Sequence, residues 1–162
     1  LARGSGRYSV MSAAIRPNAL IALALCPRLF NSAQADEILA RVEEVLLTEK
    51  GLRTLEPQDP QYIGNAGGTI EERRAASHQG SVWPHLLLYY VRARLRRRPE
   101  DAAWLGELIG APMIGGRCLG QVSQIADGDS PHRLRGSPLY AMATVMLLEA
   151  FVVDLKQKLP SS

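Results

Sequence analysis

Every position from 19 to 25 is apolar, and Pro17 stands just ahead of that run. Proline suits the first turn of a helix, where its missing N–H costs nothing. A segment apolar on all sides suits a helix buried all round, and Pro27 ends it. Over 33–47 the apolar residues Ile38, Leu39, Val42, Val45 and Leu46 recur at helical spacing, while Glu37, Arg41 and Glu44 face away. Ser32 is placed to cap this second helix and Gly51 to stop the chain beyond it. The pattern predicts a third helix over 81–97, with Pro84 in its first turn, a shorter fourth over 101–109, and a last one over 138–156. No two segments alternate as paired strands, so the expected class is all-α.

The connections are alternately short and long. Segment 48–80 carries Pro57, Pro60, Gly64, Gly67 and Gly68 and no sustained period; segment 110–136 is Gly-rich. Structureless stretches of that length in a compact domain are usually functional or disordered. Helix pairs spaced in this way are similar to an α-toroid. Five helices cannot close such a ring, and the apolar first helix requires cover. The expectation is therefore an incomplete toroid, completed by an upstream segment or a partner chain. Residues 1–14 read as an upstream loop or linker remnant, 15–156 as the helical unit, and 157–162 as a disordered tail.

The 162 residues suit one domain or a piece of a larger one, and the apolar share of 46% is ordinary. A net charge of +3 does not call for nucleic acid. The run Arg92, Arg94, Arg96, Arg97 and Arg98 ends at Pro99 without an aromatic platform, and reads as a solvated helix end whose charge complements the helix dipole. Cys26 and Cys118 lie far apart and read as buried reduced thiols. Arg3, Arg7 and the apolar run up to Cys26 imitate a short signal sequence. However, Leu25 occupies the place of a small residue, Pro17 and Asn18 interrupt the approach, and the run is far too short to span a bilayer. A cytoplasmic location, no membrane partner, and no metal or cofactor are expected. Leu1 in place of Met suggests a fragment.

Two loop-to-helix junctions concentrate the polar chemistry: ASHQGSVWP from Ala76 to Pro84, and SQIADGDSPHRLRG from Ser123 to Gly136. Loops held on a rigid scaffold are where binding and catalytic groups gather.

With IRPN at Ile15 to Asn18, GLRTLEPQDPQY at Gly51 to Tyr62, HQGSVWP at His78 to Pro84 and DGDSPHRLRG at Asp127 to Gly136, the chain resembles the C-terminal part of the amylo-α-1,6-glucosidase domain of bacterial glycogen debranching enzymes. One such motif is weak; four in register are specific. The resemblance implies about the C-terminal half of an (α/α)6 toroid of six-hairpin type. It also implies hydrolysis of the α-1,6-linked glucosyl stub on an α-glucan or glycogen limit dextrin. In that family the segment VSQIADGD typically reads ISEIFDGD, and its Glu is the catalytic base. Gln124 stands at that position. An inverting glycosidase pairs a carboxylic acid with a carboxylate that activates water, and an amide takes no proton. The resemblance places the general acid upstream of the matching region. The chain departs from the pattern it resembles with Ala19 where the family has Gln, Ser77 for Tyr, His85 for Trp, Leu134 for Pro, Ser137 for Cys, and Tyr140 to Ala143 for QAWS. Loop-shaping residues such as Pro17, Gly51, Gly80, Pro84, Gly128, Pro131 and Gly136 persist.

Asn18, His78, Gln79, Trp83, Asp127 and His132 are the candidate substrate-binding residues, and no catalytic residue is assigned beyond Gln124 at the base position. Trp83 offers a flat face to a sugar ring, His78 and Gln79 directed hydrogen bonds; the alternative is that they pack and satisfy their own loop. Asp127 and Asp129 read as turn residues bonding nearby backbone N–H groups, with a rescue of carboxylate chemistry by Asp127 as the alternative. His132 and Arg135 either line the pocket or pin the loop, and Asn18 either binds ligand or serves the helix start. The chain is thus expected to be inactive alone. A non-catalytic carbohydrate-binding or regulatory remnant and a helical interaction module are the rival readings.

Overall fold

A computed structural model describes residues 14–115 and 120–158. Six helices carry the fold: α1 (Asn18–Leu25), α2 (Ser32–Val45), α3 (Ile70–Ala76), α4 (Leu87–Arg97), α5 (Ala102–Ile114) and α6 (Ala141–Glu149), the last continuing as a π-helical turn over Ala150–Leu155. Between them runs a five-stranded antiparallel sheet in chain order: β1 (Leu47–Thr48), β2 (Gly51–Arg53), β3 (Val82–Trp83), β4 (Ile125–Ala126) and β5 (Leu134–Arg135). The chain is predominantly helical, but the all-α expectation is corrected by this sheet. Its strands are two or three residues long, too short to show a period of two. They form because segments distant in sequence meet edge to edge: Leu52 lies opposite Trp83, Val82 opposite Ala126, and Ile125 opposite Arg135.

α4 is the central helix, packed against α1, α2, α5 and α6. Its Leu87, Leu88, Tyr90, Val91, Ala93 and Leu95 are buried and meet Leu20 and Leu23 of α1, Leu39 and Val42 of α2, Leu105 and Ile109 of α5, and Leu147 of α6. α1 is not buried all round: Leu20, Leu23 and Ala24 are inside, while Leu25 is exposed. The α2 cap is Asn31 rather than Ser32, in a reciprocal capping box with Gln34. α5 runs on through Pro112 to Ile114, beyond the expected end at 109. The third predicted helix opens instead as β3, followed by a 3₁₀ turn over Pro84–Leu86, so that α4 proper begins at Leu87.

The arginine run is solvated at its end, where Arg96, Arg97 and Arg98 are exposed, but most of it is also paired with neighbouring elements. Arg92 pairs with Asp154 at 2.9 Å and with Glu149 at 2.8 Å, and Arg94 with Asp101 at 2.6 Å and with Glu43. Arg96 donates to the Ala24 carbonyl at 2.6 Å, and Arg97 grips Asp36 at 2.8 Å. Arginines that spread around α4 can each reach a different neighbour, and so they tie the bundle together. Cys26 is exposed, not buried; Cys118 lies outside the described residues. Among the described residues no helix is long and apolar enough to cross a membrane.

Segment 48–80 is ordered by two devices. Thr69 and Glu72 form a capping box that starts α3. The remainder is hydrogen-bonded to both junctions: Thr54 N–H donates to the Ser81 carbonyl, Ile63 N–H to Gln79, and Gly128 N–H to Gly64 at 2.7 Å.

Candidate functional site

The sheet sets the two junctions side by side, since β3 belongs to the first and β4 to the second. Their contact is close. A side-chain carbon at Gly128 would lie 2.4 Å from the Gly80 carbonyl oxygen and 2.4 Å from the Tyr62 hydroxyl, so only glycine fits there. Tyr62 Oη donates to Asp129 Oδ1 at 3.0 Å. Burial, and then this bond to a carboxylate, push the Tyr62 phenol up to about 12.

A cavity of about 540 Å³ opens beside the first junction, within the usual range for a small-molecule site. α1 contributes Asn18 and Ile21 to its wall, with Arg16 just ahead of the helix; β2 leads into Thr54; His78 and Trp83 come from the first junction, and His85 and Leu86 from the 3₁₀ turn that follows it; Tyr140 and Met142 come from the start of α6. Trp83 is the central surface. The His78 ring lies parallel to it with centroids 6.2 Å apart, and the His85 ring stands edge-on at 5.2 Å. Trp83 Nε1 is already committed, donating to the Ser77 carbonyl at 2.9 Å, which fixes the indole plane.

Arg16 organises the mouth. It donates to the Thr54 carbonyl at 3.2 Å, to the His78 carbonyl at 2.6 Å and to Gln79 Oε1 at 2.6 Å. Gln79 in turn donates to Gln61 Oε1 at 3.0 Å. Gln79 is therefore bound up in holding the loop and is not among the cavity-lining residues. Asn18 lines the cavity, and its side chain has no hydrogen-bond partner among the described residues. His85 is half-buried; burial lowers the pKa of its imidazole, and its Nδ1 is sequestered without a partner.

The second junction is built differently. Asp127 is 6% exposed, and its carboxylate accepts from Ala66 N at 2.8 Å and, in a two-pronged pair, from Arg135 Nε at 3.0 Å and Nη2 at 2.9 Å. This joins the loop ahead of α3 to β5. His132 is also buried; its Nδ1 donates to the Asp127 carbonyl at 3.0 Å, while Nε2 lies 3.7 Å from Glu49. Gln124 precedes β4, half-buried. Its N–H donates to the Ser137 carbonyl at 2.9 Å, and its Oε1 accepts from Ser137 N at 3.2 Å. The side chain lies over Gly136, where a side-chain carbon would sit 2.6 Å from Oε1.

Asn18, His78 and Trp83 thus line one cavity, Gln79 braces it, and Asp127, His132 and Gln124 lie outside its lining. His85, Tyr140 and Met142, at positions where the chain departs from the family pattern, form part of the wall. Arg16 stands in the sequence only as part of the IRPN motif. Its contacts with Thr54, His78 and Gln79 span 38 to 63 positions in sequence, and no local signal announces them. Among the described residues no cluster of three His, Cys, Asp or Glu side chains is arranged to hold a metal ion.

Residues 5–149 match the family model described as amylo-alpha-1,6-glucosidase. The chain is also similar to the glycogen debranching enzyme of Saccharomyces cerevisiae (strain ATCC 204508 / S288c), at 34% identity over 85 residues. That match covers 49% of this chain but only 6% of the yeast enzyme, so the chain corresponds to a small part of that relative. With most of its length inside one family model, and that family's motifs forming the two junctions of its sheet, the chain belongs to the amylo-α-1,6-glucosidase family.

Proposed function

We propose that this chain is part of a glycogen-debranching α-1,6-glucosidase domain, supplies glucosyl-binding walls, and does not hydrolyse the bond by itself. The supporting observation is the cavity beside Trp83, a flat indole flanked by His78, with Asn18 and Arg16 at its edge. Sugars present apolar ring faces and directed hydroxyls, and this wall offers a partner for each. The ligand would be an α-glucan or glycogen limit dextrin, bound without metal or cofactor in a cytoplasmic setting.

The inactivity follows from Gln124. At the place where the family resemblance puts the base, an amide oxygen accepts from Ser137 N and has no basicity to offer water. A glutamate would keep that bond and free its second oxygen. A positioned general base contributes about 10²–10⁴-fold in rate. The test is Gln124→Glu in the chain assembled with the upstream half of the domain, assaying glucose release from limit dextrin. A gain of that order is expected; normal release by the Gln124 protein would end the claim.

Completion by an upstream half or partner chain, closing an (α/α)6 toroid, is part of the same proposal. Leu139 just ahead of α6, with Met142, Val145, Leu148, Phe151, Val152 and Val153 along α6 and the π-helical turn, form an apolar run, each between 41% and 61% exposed. Contiguous apolar surface of this kind marks an interaction site. The same run supports the rival reading of a helical interaction module, which predicts association in solution but no binding of maltooligosaccharides by titration calorimetry.

A further inference from the structure

His85 is half-buried on the cavity wall, and its two ring nitrogens have different surroundings. Nδ1 is sealed from solvent and has no partner. Nε2 is not sealed in that way, and no side chain or backbone group among the described residues bonds it. A buried N–H without an acceptor is rarer and costlier than a bare acceptor nitrogen. The ring proton therefore sits on Nε2, the accessible nitrogen, and the ring is uncharged, because a second proton on Nδ1 would bury a cation edge with nothing to receive it. His85 Nε2 is thus a neutral N–H donor at a half-buried position, held edge-on at 5.2 Å from the Trp83 ring.

Such a donor suits a particular class of ligand. A hydrogen bond to a carboxylate or phosphate would be stronger, but such an anion would give up its hydration for a neutral imidazole and for Arg16, three of whose five N–H groups are already turned to two carbonyls and an amide. A hydroxyl oxygen fits, provided its carbon skeleton can lie on the indole. We propose that His85 is a ligand-binding and specificity-determining residue, donating from Nε2 to a hydroxyl oxygen of a neutral sugar ring seated against Trp83. The assignment rests on the carbohydrate-binding reading of the cavity and adds to it the residue that orients the ring.

The test is titration calorimetry of the full chain with panose, a trisaccharide that carries an α-1,6-linked glucosyl unit. Two variants are compared. His85→Phe keeps a flat ring against Trp83 but removes both nitrogens; His85→Gln places an amide N–H near the Nε2 position. Loss of one neutral hydrogen bond predicts affinity about five- to tenfold weaker for the Phe variant. The Gln variant is expected to stay within about twofold of the wild type. Rescue by Gln separates binding from packing, since Gln restores the donor but not the ring. If the Phe variant does not fold, the Gln variant still decides: a loss as large as about tenfold there overturns the assignment. Equal binding by the wild type and His85→Phe also overturns it while leaving the carbohydrate reading intact. No panose binding by the wild type overturns both.

Discussion

Replacing Asp127 tests whether the second junction is held as a framework. Its carboxylate receives three N–H donors, from Ala66 and from two nitrogens of Arg135, while only 6% of the residue is exposed. Asp127→Ala leaves two groups behind with different fates. The Ala66 N–H is sealed, since Ala66 is 1% exposed, and an orphaned buried donor costs about 1–3 kcal/mol. The Arg135 side chain is 31% exposed, so its guanidinium rehydrates, and losing that pair costs only about 1 kcal/mol. The sum is roughly 3 kcal/mol, a large share of the 5–15 kcal/mol typical of a domain. For a chain of this length that lowers the melting midpoint by about 6–12 °C. Asp127→Asn keeps an acceptor for Ala66 and loses only the charge, so about half that shift is expected. Thermal melts followed by circular dichroism, with urea titration to check that the slope is unchanged, measure both. An alanine variant melting within about 2 °C of the wild type would refute the reasoning, because it would mean the three bonds do not hold the loop.

The Tyr62 phenol, raised to about 12 by burial and by Asp129, is neutral in the folded chain at pH values where the unfolded chain ionises near 10. Folding stability should therefore fall as pH rises through 10 to 12, and Tyr62→Phe should flatten that decline in pH-dependent melts. Gly128→Ala forces a methyl to 2.4 Å from the Gly80 carbonyl oxygen; it should destabilise by about 1–3 kcal/mol, read as a lower urea midpoint. Val145 is 61% exposed, and Val145→Lys should reduce association on a sizing column without lowering the melting midpoint; unchanged association would remove the apolar run as an interface.

Much of the helical frame was legible. α2 and α4 show the 3.6-residue period because one face meets the core along its whole length, as Leu39 and Val42 or Tyr90 and Val91 do. α3 was missed although its capping signature, Thr69 followed by Glu72, stands in the sequence. That helix buries only Ala76 and so carries no apolar stripe to notice. The sheet was missed for a stronger reason: strands of two or three residues carry no alternation, and their pairing is a contact between segments up to several tens of positions apart. The ion pairs of Arg92, Arg94 and Arg97 leave no mark in the sequence, since their partners, Asp154, Glu43 and Asp36, lie on other helices.

By itself the sequence determined the family, through four motifs in register. It also determined the turn chemistry of the junctions and the presence of an amide at position 124. These are matters of residue identity and short spacing. Which polar groups face a cavity was decided only by tertiary structure. Residues 16, 54, 78, 85 and 140 meet there from separate elements. Asp127 and His132, of the same chemical type as ligand-binding groups, are instead turned inward against Arg135, Ala66 and backbone. The physical reason is that a side chain's role depends on which partners are within hydrogen-bond reach, and those partners are set by packing across the fold rather than by neighbours along the chain.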